Sequence, residues 1–231
     1  MQIFFLVFMV TLAITMWGRK RFRKIYDQET QYLISSQVTG AQLVEKILRA
    51  RGIEGVTVKR ARGLLTDFYH PEKKQISLAP QHYGGATFSA LGVSANLAGH
   101  AIQHFEGHKP LFWRVSAIRA TVFLSLPLII LSVGALVAGM NKTVLPAMLM
   151  IWAMIALSNI ITIPTELDAG ERAKRQLDRI KAFKNLDERV GVERVMGASS
   201  TMYIDGFFTV LSWLGSLMVP WMKKQMEPEA E

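Results

Sequence analysis

His100 and His104 stand four residues apart in the run Asn96-Leu97-Ala98-Gly99-His100-Ala101-Ile102-Gln103-His104. On a helix that spacing puts both imidazoles on one face, one turn apart, where they can share a metal ion. The zinc-helix pattern H-E-x-x-H supplies two imidazole ligands and, beside the first, a glutamate that acts as general base. If His100 is the second histidine of that pattern, Asn96 holds the first ligand position and Leu97 holds the base position. A neutral amide is a poor substitute for imidazole on zinc, and Leu97 can do neither acid nor base work. The plainer reading is that His100 and His104 cap or hydrogen-bond within their own helix.

A third ligand has to come from elsewhere in the chain. Cysteine is absent, so thiolate sites and disulfides are excluded, and zinc could use only histidine and carboxylate. Glu166 follows Pro164 within Thr165-Glu166-Leu167-Asp168-Ala169, and a distant carboxylate on a second helix is what a two-His-one-Glu site requires. Glu166 and Asp168 would equally suit the first turn of a helix, where negative charge is favourable. Residue types alone leave these two readings even.

The elements around these residues are partly legible. Thr39-Gly40-Ala41-Gln42 reads as a capping box opening a helix through Leu43, Val44, Ile47 and Leu48, with Gly52 as its terminator. Val56-Thr57-Val58, Leu64-Leu65-Thr66 and Gln75-Ile76-Ser77-Leu78 suggest short strands, with a turn over His70-Pro71-Glu72-Lys73-Lys74. The motif helix is expected from near Gly85 through Phe88, Leu91, Ala95, Ala98 and Ile102 to about His104, ending by Gly107.

Half of the 231 residues are hydrophobic, yet the net charge is +9, a combination that points to a membrane protein with basic cytoplasmic segments. Lys and Arg flank apolar spans and do not interleave with stacking aromatics, so a nucleic-acid partner is not expected. The apolar stretches are Ile3 to Trp17, Thr121 to Met140, Val144 to Pro164 and Met202 to Trp221, the last interrupted by Asp205 and Gly206. Of 27 Lys and Arg residues, 16 lie between Arg19 and Arg119 and 8 between Arg172 and Arg194. The positive-inside rule then places both segments in the cytoplasm and the N-terminus outside.

These patterns predict a mainly α membrane protein of about four transmembrane helices, with a small cytoplasmic α+β unit carrying the motif helix. The expected organisation is an N-terminal transmembrane anchor at 1–17 and a cytoplasmic segment at 18–118 with the motif helix near 85–105. A transmembrane hairpin follows at 119–164, then a cytoplasmic helical segment at 165–201 and a C-terminal transmembrane or interfacial helix and tail at 202–231. The lipid bilayer is the expected partner, and the bacterial inner membrane the expected location. Gly134, Ala135, Ala138 and Gly139, with Met148, Met150 and Met154, would allow close helix packing, within the chain or in a larger assembly.

With these motifs in order, the chain resembles the YugP-like neutral zinc metallopeptidase family of bacterial membrane proteins. The resemblance rests on Thr39-Gly40-Ala41, the G-x-L-T-D-x-Y segment from Gly63 to Tyr69, Tyr83-Gly84-Gly85, Gly107 to Leu111 and the P-x-E-x-D-A run from Pro164 to Ala169. The family's motif helix reads H-E-V-G-H-A-I-Q-H, and its last five residues match His100 to His104. The resemblance implies a zincin-like unit whose zinc is held by the two motif histidines and the Glu of P-x-E-x-D-A.

Carried over residue by residue, only His100 and Glu166 of that ligand set survive. His104 matches a histidine beyond the core motif and is a further metal candidate. Phe68 and His70 stand where the family shows His and Asp. Asp67, His70 and Asp168 are the other cleft candidates. A rearranged site would have to combine His100, His104 and Glu166 with His70 or His108, and Glu106 is the carboxylate nearest in sequence to serve as base.

The resulting expectation is a non-catalytic pseudopeptidase with a binding or regulatory role, zinc being absent or weakly bound. It could hold a peptide in the cleft or act beside a protein partner or an intact paralogue. The alternatives are an active membrane zinc metallopeptidase with a rearranged site, and a structural subunit of a membrane assembly.

Overall fold

Thr39 starts the folded unit as the sequence predicts. Its hydroxyl accepts from Gln42 N while the Gln42 side chain accepts from Thr39 N, closing a reciprocal capping box. In the computed structural model, which describes residues 2–61, 67–117 and 141–199 together with isolated positions between 120 and 138, this helix (α2, Gly40–Ala50) follows a long first helix (α1, Gln2–Glu29). Leu43, Val44, Ile47 and Leu48 form its buried stripe, and Gly52 leaves the helix at φ +67°, a left-handed conformation that glycine adopts without strain.

A three-stranded sheet follows in the order β1-β3-β2. β1 (Thr57–Arg60) runs parallel to β3 (Gln75–Leu78), with Thr57 opposite Gln75. β2 (Phe68–His70) runs antiparallel to β3, with Phe68 opposite Ser77 and His70 opposite Gln75. The turn over Pro71–Lys74 closes that hairpin, with Lys74 N bonded to Pro71 O and Lys74 at φ +47°. His70, expected in the turn, is instead the last residue of β2. The expected strand at Leu64-Leu65-Thr66 lies outside the described residues.

A short α3 (Pro80–Tyr83) leads into α4 (Phe88–Phe105), the motif helix, capped by the Thr87 hydroxyl accepting from Ala90 N. Helices at 109–117 (α5) and 186–199 (α7) flank the long α6 (Asn141–Arg179). The core gathers Leu43 and Ile47 of α2, Ile76 and Leu78 of β3, and Leu91 and Ile102 of α4, with Leu177 and Met196 closing it from α6 and α7. At Gly99, α4 and α6 nearly touch: a Cβ there would lie 2.2 Å from the Ala169 carbonyl oxygen, so only glycine permits this crossing. The Glu188 carboxylate accepts from Ser35 N and Lys184 N, tying α7 to the segment before α2.

The expected mainly α membrane protein with about four transmembrane helices is corrected here. Among the described residues no helix is long and apolar enough to cross a membrane. A spanning helix needs about 20 consecutive apolar residues, and the described side chains of the long helices do not supply them. From residue 158 onward α6 buries Thr162, Thr165, Glu166 and Gln176 along with Ala169 and Ala173, and carries Glu171, Arg175 and Asp178 outward. It is amphipathic and packs on α4. Along α1, Arg19, Lys20, Arg21, Arg23 and Lys24 are exposed.

The multi-pass placement with an outside N-terminus is withdrawn with the four spans. Both α1 and α6 run unbroken across the boundaries expected at 17 and 164. The stretch 202–221 lies outside the described residues, as do Gly134, Ala135 and Gly139.

Candidate functional site

The close α4–α6 crossing places residue 96 and residue 100, one turn apart on α4, against Glu166 on α6. His100 Nε2 lies 3.3 Å from Glu166 Oε1, and Asn96 Nδ2 donates to Glu166 Oε2 at 3.1 Å. The two residues expected at ligand positions therefore face each other, and Asn96 reaches the same carboxylate. Glu166 is 3% exposed and His100 2%.

A third group completes this cluster. Arg114 of α5 forms an ion pair with Glu166 Oε1, the same oxygen that His100 faces. Leu111, fully buried three residues earlier, anchors α5 inward so that Arg114 reaches the crossing. Burial alone would push the Glu166 carboxyl up. The positive charge and hydrogen bond of His100 oppose that, followed by Arg114 and the Asn96 hydrogen bond, and together they hold it at about 2. Glu166 is thus a carboxylate throughout the physiological range.

Gln103 sets the orientation of His100. Its side chain is fully buried, and its Nε2 donates to Thr165 O at 2.8 Å and to Asp168 Oδ2 at 2.7 Å. Those two acceptors turn its Oε1 toward His100 Nδ1, 2.9 Å away, so Nδ1 carries the proton that is donated. Nε2 is then the atom presented to Glu166. A metal-ligating histidine is oriented in the same way, by donating its other ring N–H to an oxygen.

Asn96, His100, Arg114 and Glu166 line a cavity of about 180 Å³, with Asp67, Phe68, Tyr69, Val93, Leu97 and Ser199 as further walls. Leu97, at the base position, is 7% exposed and belongs to the core cluster. Asp67, one of the cleft candidates, is at the wall, where its Oδ1 accepts from Ala79 N and lies 2.8 Å from His82 Nδ1. His82 in turn meets Tyr26 of α1, whose hydroxyl is 2.5 Å from Nε2.

The remaining candidates point elsewhere. His104 Nδ1 lies 2.6 Å from the Tyr69 hydroxyl, and its ring packs edge-on against Phe112. Burial pushes the Tyr69 phenol up to about 12, and burial aided by the Lys74 charge pushes His104 down. Asp168 pairs with Arg172 and receives Gln103, with His108 Nε2 at 3.7 Å. Glu106 forms ion pairs with Arg51 and Arg172. His70 sits on β2, its ring 6.4 Å from that of Phe68, and its Nδ1 is buried without a partner among the described residues.

Among the described residues no group of three or more His, Asp and Glu side chains is placed to hold a metal ion. The donor chemistry explains why. Three nitrogen donors already occupy the Glu166 oxygens, and one belongs to a guanidinium that cannot shed its proton. A catalytic zinc takes three protein ligands and an open position, and only His100 and Glu166 are available here. The residues present do not fit that ion.

Sequence reading missed Arg114 entirely and gave Gln103 no role. Nothing about Arg114 in the sequence signals a site, because its part arises from α5 folding back onto α6. Gln103 carried a readable hint, as a polar residue on the buried face of the motif helix.

The site is thus a helix bearing Asn96 and His100 crossed by a second helix that brings a buried glutamate against them. The chain belongs to the family described as "Putative neutral zinc metallopeptidase", whose profile matches residues 4–221. It is 29% identical over 205 residues to the "Putative membrane protease YugP" of Bacillus subtilis (strain 168), covering 88% of this chain and 89% of that protein. Zinc is the family's cofactor. No solved structure matches the chain.

Proposed function

We propose that this chain is a non-catalytic member of the zinc metallopeptidase family that binds polypeptide in the retained cavity and acts at a membrane. The observation that carries the reading is Leu97: an aliphatic, core-packed side chain lies at the wall of the cavity where the family places its general base. Peptide hydrolysis needs a group there to take a proton from the attacking water, and losing a general base removes roughly 10²–10⁴-fold in rate. Asn96 weakens the ion-binding side of the same chemistry, because a neutral amide is a poor substitute for imidazole on zinc.

Leftover polar capacity supports a peptide as the ligand. Arg114 Nε and Asn96 Oδ1 are buried without partners among the described residues. One is a donor and the other an acceptor, the pair that a backbone carbonyl and amide N–H would satisfy. Membrane association is carried over from the relative described as a membrane protease, and the exposed basic side chains on α1 suit an anionic surface.

The test is proteolysis of an unfolded protein such as casein by the purified chain in zinc-supplemented buffer, with and without chelator. No chelator-sensitive cleavage is expected. Cleavage that disappears on both His100→Ala and Glu166→Ala would overturn the reading in favour of an active, rearranged site.

A further inference from the structure

We infer that Arg114 is the fixed counter-charge of Glu166, standing in the place of a metal ion, so that restoring the two lost motif residues does not by itself restore a zinc site. The inference rests on the non-catalytic reading above and goes beyond it, since it assigns a role to a residue outside the motif.

The geometry is specific. A metal ion shared by His100 and Glu166 would have to bind the carboxylate on the side His100 Nε2 faces, at Oε1. The Arg114 guanidinium is already on that oxygen, while Asn96 holds Oε2. The Arg114 side chain is 17% exposed and that of Glu166 4%, so solvent screens the pair only weakly. The Arg114 guanidinium cannot lose its proton to admit a cation. A divalent ion entering here would meet an undischargeable positive charge and would have to displace it from a buried carboxylate.

Imidazole at position 96 and carboxylate at position 97 would complete the ligand and base set and leave that obstruction untouched. Removing the charge of Arg114 as well should open the site. Arg114→Gln keeps a hydrogen-bond donor for Glu166, and Arg114→Met gives the same loss of charge with different packing. Arg114→Lys keeps the charge.

The experiment is calorimetric titration of zinc into the full-length chain and its variants, each checked for folding by circular dichroism. The Asn96→His/Leu97→Glu chain should bind zinc weakly. Adding Arg114→Gln or Arg114→Met should tighten binding on the order of a hundredfold, as expected for removing a unit charge beside a divalent ion, whereas adding Arg114→Lys should not. Equal affinity with and without Arg114 would overturn the inference, as would stoichiometric tight binding by the Asn96→His/Leu97→Glu chain. Proteolysis by the unaltered chain would defeat the reading under Proposed function, whereas this inference stands or falls on the comparison between variants.

Discussion

Asn96 Nδ2 donates to Glu166 Oε2 at 3.1 Å across the α4–α6 crossing, so Asn96 and His100, one turn apart, both meet the same buried carboxylate. Together with His100 and Arg114, Asn96 makes the Glu166 carboxylate the centre of a buried polar cluster. Several consequences can be measured.

The first is a pH dependence. Glu166 has a folded pKa of about 2 against an ordinary 4.5. A depressed carboxyl contributes stability that is complete above its unfolded value and is lost as pH falls through its folded value. The contribution should therefore be full above about pH 5 and fade between about 4.5 and 2, by about 3 kcal/mol in all. Urea unfolding of the purified chain across that range should show the decline. A Glu166→Gln variant, though less stable, should lose that portion of the slope.

Removing one member of the buried pair should cost more than removing both. Arg114→Ala leaves Glu166 with one charged partner fewer, and breaking a buried ion pair typically costs about 3 kcal/mol. Combining it with Glu166→Leu should recover part of that loss, giving a clear coupling energy in a double-mutant cycle. Additive losses would mean the two side chains do not interact.

Gln103→Leu should act on His100 without touching the cavity. The substitution removes the acceptor for His100 Nδ1 and the donor to Thr165 O, leaving buried groups unpaired at a cost of about 1–3 kcal/mol each. The imidazole then loses what fixes its orientation. Nitrogen NMR of the His100 ring should show a hydrogen-bonded Nδ1–H in the unaltered chain and the loss of that signature in the variant.

The helix crossing gives a steric prediction. A methyl group at residue 99 would lie 2.2 Å from the Ala169 carbonyl oxygen and 2.8 Å from its carbon, both rigid backbone atoms. Gly99→Ala should therefore force α4 and α6 apart and destabilise by about 1–3 kcal/mol, the usual range for overpacking. The thermal midpoint should fall although alanine is the better helix former.

How far the sequence could be read follows from which signals are local. The capping box at Thr39 and the motif helix were legible because a cap and an apolar period lie within a few residues of what they specify. His100 and Glu166 were legible as a pair through the family pattern, though 66 positions apart. Arg114 was not, since a single arginine next to an apolar stretch reads as a flanking charge until α5 turns it inward. His104 was misleading for a related reason. Its spacing from His100 put both rings on one face, yet the neighbours differ, and Tyr69 on β2 takes His104 while Glu166 on α6 takes His100. The apolar stretches were read as spans from hydropathy alone, which does not register that α6 continues as an amphipathic helix against α4.

The most direct test of the account is elemental analysis for zinc in the purified, unaltered full-length chain after exposure to the ion and removal of excess. With Asn96 and Leu97 in the motif and Arg114 on Glu166, no stoichiometric zinc is predicted. One tightly held zinc per chain, lost on Glu166→Ala, would contradict it.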